Sequence, residues 1–309
     1  MPDSSFSPPS SPLLPPPLKP GNRLRVIAPS GALRELATFQ KGVEIWRSRG
    51  YQIDLSPGYD QRWGYLAGTD AERRSQLADA LQDPEYQGIL CARGGYGGAR
   101  LLENWDWGDL KWPKWLIGFS DITSLLWGLC RQGVSGVHGP LLTTLAAEPE
   151  WSVQRLFDWV EGRSIPSIAG TGWGGGRAEG MLLPANLTVA THILGTAAQP
   201  ALEGVILAFE DVTEAPYRID RMLTQWRMMG IFQKVKGIAI GRFSQCDPPA
   251  NVPSFTVEEV LRDRFSDLVS GGIPVVSDLP FGHDGPNAAL PVGVPAWLDG
   301  DRGTLGIVK

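Results

Sequence analysis

The sequence predicts two α/β domains, and three observations predict them. From Leu24 onward, short apolar runs alternate with segments of helical pattern, as expected of a parallel sheet covered by helices on both faces. The alternation breaks once, at Gly170-Thr171-Gly172-Trp173-Gly174-Gly175-Gly176, a stretch too glycine-rich for a regular element and expected to be an interdomain linker. It then resumes with further strand and helix patterns to the C-terminus. The expected organisation is a Pro-rich tail over 1–20, an N-terminal domain over 21–165, the linker over 166–178 and a C-terminal domain over 179–309.

Taken in order, Leu24–Ala28 reads as a strand broken by Pro29-Ser30-Gly31, with a helix following to about Arg49 and Gly50 at its stop. Tyr51–Leu55 alternates like a strand. Thr69-Asp70-Ala71-Glu72 has capping-box spacing, in which hydroxyl and carboxylate satisfy free amides at a helix start. Gly88–Cys91, Leu116–Phe119 and Val134–Val137 are further apolar runs, with a helix over Thr123–Arg131. Beyond the glycines, strands are expected at Glu179–Leu183, Val205–Phe209, Gly237–Gly241 and Pro274–Ser277, and helices at Leu187–Leu194, Tyr217–Met229 and Val257–Phe265. Ala296–Leu298 and Thr304–Val308, joined by Asp299-Gly300-Asp301-Arg302-Gly303, read as a hairpin.

Bulk properties narrow the function. A hydrophobic content of 42% supplies a sizeable core, and a formal charge of -5 with no block of like charge argues against a nucleic-acid partner. No apolar run approaches membrane-spanning length. Eight prolines and five serines in the first twenty residues deny a secretory signal its apolar centre, so this segment is expected to be a disordered or loosely attached tail. Three widely spaced cysteines (Cys91, Cys130, Cys246) make no disulfide framework, and the expected setting is cytoplasmic. Neither metal-ligand spacing nor a P-loop is present, and no metal or cofactor is expected. The glycine stretch at 170–176 fits GxGxxG in letters, but it neither leaves an apolar strand nor opens a helix, so it fails as a dinucleotide site.

Ligands of open parallel sheets bind beyond the carboxyl ends of strands, and several loops there carry chemistry. Arg93-Gly94-Gly95-Tyr96-Gly97-Gly98 follows the strand ending at Cys91; its glycines expose backbone N–H groups or simply serve a tight turn. Gly118-Phe119-Ser120-Asp121-Ile122-Thr123 joins an apolar strand to a helix, the setting of a nucleophile elbow, although Ile122 stands where that pattern wants glycine. A helix N-cap explains Ser120 as well. A serine needs a base. His192 reads as a partly buried structural residue, whereas His138 and His283 both follow strands, and spacing alone does not choose between them. Glu210 ends the apolar run Val205–Phe209, where a carboxylate is costly unless partnered; Asp211 and Glu214 are its rivals, read as solvated or capping. Cys91, also at a strand end, is a rival nucleophile.

These motifs together resemble the LD-carboxypeptidases, a serine-peptidase family that includes murein tetrapeptide carboxypeptidases and the microcin C self-immunity peptidase. The matching pieces are VIAPSG (26–31), ARGGYGGARLL (92–102), LIGFSDITSLL (116–126), GVHGPL (136–141), NLTVATHILGT (186–196), FEDVTEAPYRIDRMLTQ (209–225) and PFGHDGPNAALPVG (280–293). The resemblance implies a Rossmann-like N-terminal domain, a smaller β-rich α/β C-terminal domain and a homodimer. It implies a triad of Ser120, Glu210 and His283, and an oxyanion hole from the amides of Asp121 and of Gly95 or its neighbour. Where relatives often read Gly-Gly-Asn-Leu, this chain has Pro184-Ala185-Asn186-Leu187, a segment expected near substrate.

The implied reaction is hydrolysis of the amide before a C-terminal D-amino acid, with a muropeptide-like small peptide as partner. Arg93 is a candidate for the substrate's carboxylate and Asn186 for a further contact. A peptidyl-nucleotide substrate and a non-catalytic two-lobed binding protein are the alternatives.

Overall fold

The computed structural model describes residues 12–308. Its first half contains β1 (Arg23–Ile27), α1 (Leu36–Ser48), β2 (Gln52–Leu55), α2 (Asp70–Gln82), β3 (Tyr86–Cys91), α3 (Gly98–Leu101), β4 (Trp115–Gly118), a 3-10 turn (Ser120–Ile122), α4 (Thr123–Arg131), β5 (Val137–His138), α5 (Leu142–Leu145) and α6 (Glu150–Val160). The second half contains β6 (Ile168–Ala169), β7 (Thr171–Gly174), β8 (Arg177–Asn186), α7 (Leu187–Ile193), β9 (Val205–Val212), α8 (Pro216–Met228), β10 (Gly237–Ser244), α9 (Val257–Ser270), β11 (Val275–Ser277), β12 (Leu290–Pro291), β13 (Val294–Asp299) and β14 (Thr304–Ile307). Among the described residues no helix is long and apolar enough to cross a membrane.

Two sheets result. The first runs β12-β5-β4-β3-β1-β2, with β1 to β5 parallel. Its central strands read as unbroken apolar runs because helices bury both faces: Leu116, Ile117, Ile89 and Leu90 are all at most 2% exposed. The strand order reverses between β1 and β3, and crevices form beyond the carboxyl ends of strands at such a switch point. The second sheet runs β6-β14-β13-β8-β9-β10-β11-β7. Its centre, β8 to β11, is parallel, and antiparallel strands close both sides.

One joint fixes the two sheets to each other. Helix α4 is buried from Thr123 to Cys130, too apolar to face water on any side. Its Leu125, Leu126 and Trp127 share a core with Leu183, Ala185, Leu187 and Trp226 of the second half. The Trp127 indole also donates to the Pro184 carbonyl at 3.0 Å. Each fully buried side chain of this size contributes roughly 1.5–3 kcal/mol, so the joint is stiff. A second crossing matters for function: after β11 the chain leaves the second sheet, and β12 pairs antiparallel with β5 of the first, Leu290 opposite His138. The loop between β11 and β12 is thereby drawn over the carboxyl end of β4.

Three sequence expectations need correction. The expected tail is ordered from residue 12: Leu13 N–H donates to Gly133 C=O at 2.7 Å, Leu18 N–H to Val160 C=O at 2.8 Å, and the Trp115 indole to Pro16 C=O at 2.9 Å. Prolines cannot donate, but their carbonyls accept, and the interspersed leucines supply the donors. Residues 1–11 of that tail lie outside the described residues. The expected linker instead contains β6 and β7, with β7 paired to β11. Its glycines allow close backbone approach: a Cβ at Gly170 would lie 2.0 Å from the Ser277 carbonyl oxygen, and one at Gly172 would lie 2.2 Å from that of Gly300. Finally, the strand expected over Val134–Val137 starts only at Val137, because Val134 instead bridges Leu13 of the N-terminal segment.

Candidate active site

Ser120 follows β4 with a left-handed φ of +63°, a conformation that costs a non-glycine residue about 1–3 kcal/mol and is held only by its surroundings. Those surroundings are tight. Asp121, 4% exposed, accepts the Gly98 N–H at 2.6 Å; burial pushes its carboxyl pKa up against the hydrogen bonds that it accepts. The buried Arg73 donates to the Pro29 carbonyl and, at 2.8 Å, to that of Gly97, tying the β1 and β3 loops together. The Gly31 N–H adds a bond to Gly94 C=O at 3.0 Å. The β3 loop meets the serine through Gly94, where an added Cβ would lie 3.2 Å from Ser120 Cβ and 3.3 Å from its Oγ.

Ser120 caps no helix through its side chain. Its Oγ lies 3.1 Å from His283 Nε2, and His283 Nδ1 lies 2.7 Å from Glu210 Oε2. His283 arrives on the loop that crosses between the sheets, and that loop is pinned. Arg242 donates from Nη1 to Pro286 C=O at 2.7 Å and from its amide to Phe281 C=O at 2.8 Å. Glu210 sits in β9, wholly buried.

Burial alone lowers the His283 pKa, but the Glu210 hydrogen bond and charge, with Asp211 and Asp284, outweigh it and lift the imidazole above its ordinary 6.5. Two opposite pH trends follow. Catalysis by the free imidazole should fall as pH drops through this raised pKa, giving an acid limb in kcat/KM above 6.5. The stabilisation from the charged pair is present in full below the unfolded pKa of about 6.5 and is lost as pH rises through the folded value. A pH–rate profile beside thermal unfolding at each pH checks both.

The structure places Asn186, expected near substrate, against the acid. It is 4% exposed. Its Oδ1 caps α7 by accepting the Val189 N–H at 3.1 Å, which orients Nδ2 to donate to Glu210 Oε1 at 3.3 Å and Asp211 Oδ1 at 3.1 Å. Its own amide donates to Thr123 Oγ1 at 2.9 Å, linking the acid back to α4. Asp211 is not solvated: it is buried and accepts Thr188 N–H at 2.9 Å and Thr188 Oγ1–H at 2.7 Å, capping α7 from the neighbouring strand. Burial, then the charge of Glu210, pushes its pKa up to about 6. Asn186→Ala should lower kcat about 10- to 100-fold with little change in KM, the worth of one hydrogen bond to a charged group. Steady-state kinetics on the folded variant checks it.

The remaining candidates take no part in the Ser120–His283–Glu210 series. His138 is fully buried beside Phe119 and Phe281, and burial, with the charge of His283, pushes its pKa down to about 3. His192 is exposed on α7, not partly buried. Cys91 is buried, and burial raises its thiol pKa, which withholds the thiolate a nucleophile requires. Arg93 donates to Glu35 at 3.1 Å and Gly94 C=O at 3.2 Å. Among the described residues no cluster of three or more His, Cys, Asp or Glu is placed to hold a metal ion. Arg73, Arg242 and the bridging role of Asn186 escaped sequence reasoning, since nothing local marks an arginine that acts through backbone carbonyls far along the chain.

Two family descriptions match the halves that meet at this site: "LD-carboxypeptidase N-terminal domain" over residues 24–139 and "LD-carboxypeptidase C-terminal domain" over residues 179–298. The chain belongs to the LD-carboxypeptidase family. Within this family it is 59% identical to a Synechocystis sp. protein named provisionally as a carboxypeptidase, over 95% of this chain and 96% of that one. It is 32% identical to the murein tetrapeptide carboxypeptidase of Pseudomonas aeruginosa, over 91% and 94% of the two chains. The crystal structure of the muramoyltetrapeptide carboxypeptidase of Oxalobacter formigenes superposes with a TM-score of 0.79 at 30% identity, covering 92% of this chain and 97% of that one. LD-carboxypeptidase membership makes the chain a peptidase with the two-sheet α/β fold of its relatives.

Proposed function

We propose that this chain is a serine carboxypeptidase that removes the terminal D-alanine from a peptidoglycan tetrapeptide by cleaving an L,D amide bond. The observation that carries the reading is the continuous hydrogen-bonded series from Ser120 Oγ through His283 to Glu210, assembled from both halves of the chain. His283 takes the hydroxyl proton as Ser120 Oγ bonds to the scissile carbonyl carbon. The C–N bond then breaks, and the same proton passes to the leaving amine. Water repeats the sequence: its proton goes to His283, its oxygen bonds to the acyl carbon, and Ser120 leaves with the proton restored. Glu210 holds the imidazole tautomer and balances its charge. The amides of Asp121 and Gly95 are the proposed donors to the oxyanion, where loss of one donor typically costs about 100- to 1000-fold in rate.

The murein substrate is supported by the names of the relatives in Pseudomonas aeruginosa and Oxalobacter formigenes. Incubating the purified chain with muropeptide tetrapeptide and weighing the products tests it: a tripeptide and free D-alanine are expected. Tight binding without product would favour a binding protein, and cleavage only of a peptidyl-nucleotide amide would move the substrate to the microcin type.

A further inference from the structure

Beside the oxyanion loop lies an open cavity of about 370 Å³ lined by Gly31, Arg34, Tyr65, Arg93, Gly95 and Tyr96. Its chemistry is cationic and aromatic. Two arginines line it: Arg93 pairs with Glu35 at 3.1 Å, and Arg34 has no ion-pair partner among the described residues. The phenol rings of Tyr65 and Tyr96 meet edge to face at 5.7 Å between centroids and are 59% and 53% exposed. Two large adjoining exposed rings, Tyr96 on the loop after β3 and Tyr65 on the segment between β2 and α2, are what a ligand wall requires.

The Arg93 guanidinium is placed by the absence of side chains around it. A Cβ at Gly31 would lie 2.5 Å from its Nη1, and one at Gly95, whose φ is +111°, would lie 2.6 Å from the same atom. Glycine at both positions lets the guanidinium lie flat across the loop backbone at the cavity wall. The spacing from the nucleophile is also right. Gly94 lies so close to Ser120 that an added Cβ would fall 3.3 Å from its Oγ, and Gly95, the next residue, lines the cavity; consecutive Cα atoms are about 3.8 Å apart. A peptide attacked at its last amide carries its free carboxylate one residue beyond the scissile carbonyl, which is the same step.

We propose that this cavity is the leaving-residue subsite, in which Arg34 and Arg93 receive the free C-terminal carboxylate and Tyr65 and Tyr96 wall in the small terminal side chain. The planar fork of arginine suits a carboxylate, and an anchor for a free carboxylate restricts cleavage to the last bond. The subsite rests on the carboxypeptidase reading and names the residues that hold the free terminus.

The test compares the tetrapeptide with its C-terminal carboxamide counterpart, using the full chain as wild type, Arg34→Gln and Arg93→Gln. Wild type should prefer the free acid by about 100-fold or more in kcat/KM. In Arg34→Gln the free-acid kcat/KM should fall about 10- to 100-fold, chiefly through KM, the worth of one charge-assisted hydrogen bond, and the preference over the carboxamide should shrink by a like factor. Arg93→Gln should also lose kcat, because Arg93 touches the Gly94 carbonyl. A preference that survives intact in Arg34→Gln overturns the subsite while leaving the peptidase standing. No cleavage of either peptide by wild type overturns the tetrapeptide carboxypeptidase reading, and the subsite with it.

Discussion

Ser120→Ala should lower kcat on the tetrapeptide by about 10⁵- to 10⁶-fold while leaving substrate binding and the melting temperature close to wild type. The size of the effect follows from what is removed. With no hydroxyl to form the acyl-enzyme, only the oxyanion donors and the positioning of the substrate remain, and those alone sustain a small residual rate over water. The fold should tolerate the change, because Ser120 is partly exposed and the elbow is held by Asp121, Arg73 and the buried α4 rather than by the hydroxyl. Single-turnover kinetics beside thermal unfolding separates loss of chemistry from loss of structure. A variant that melts early would instead show that the hydroxyl helps to hold the left-handed turn.

Glu210→Gln should carry the second largest loss, about 10³- to 10⁴-fold in kcat, as when a triad carboxylate becomes an amide that favours the wrong imidazole tautomer. It should also move the acid limb of the pH profile downward. The Glu210 hydrogen bond and charge are the foremost influences raising the His283 pKa against burial, so without them burial prevails and the imidazole stays neutral to lower pH. A rate loss with an unmoved acid limb would assign the limb to another group. Asp211 is the first to examine, because burial and its neighbour already bring it to about 6. A pH–rate series on the variant decides.

Much of this arrangement is legible in the amino-acid sequence, for identifiable reasons. The parallel strands announce themselves because burial on both faces demands unbroken apolar runs, and Ser120 and Glu210 each stand where such a run ends in a polar residue. Position along a strand does not report direction in space, however. His138 and His283 both follow strands in the sequence pattern, and spacing does not separate them; only the family resemblance favours His283. In the structure the difference is one of packing: His138 is enclosed by Phe119 and Phe281, while His283 rides a loop drawn across β4 by the return of β12 to the first sheet. That return depends on contacts between residues about 150 positions apart, which no local pattern encodes.

Glycine misled in one place and informed in another. At 170–176 its abundance reads as flexibility, yet these residues permit backbones to touch in the second sheet. At 94 and 95 the same property brings a loop against the nucleophile. Asn186 illustrates a different limit. Its place at a strand–helix junction is visible, but whether it faces substrate or the interior depends on the Glu210–Asp211 pair 24 residues later.

The proposed chemistry requires Ser120 Oγ to be the nucleophile activated by His283. Treating the purified chain with a fluorophosphonate that labels activated serines, then mapping the modified peptide by mass spectrometry, tests this most directly. A single adduct on Ser120 is expected in wild type, slowed by orders of magnitude in His283→Ala and absent in Ser120→Ala. An unlabelled protein that still cleaves the tetrapeptide, or an adduct on another residue, would contradict it.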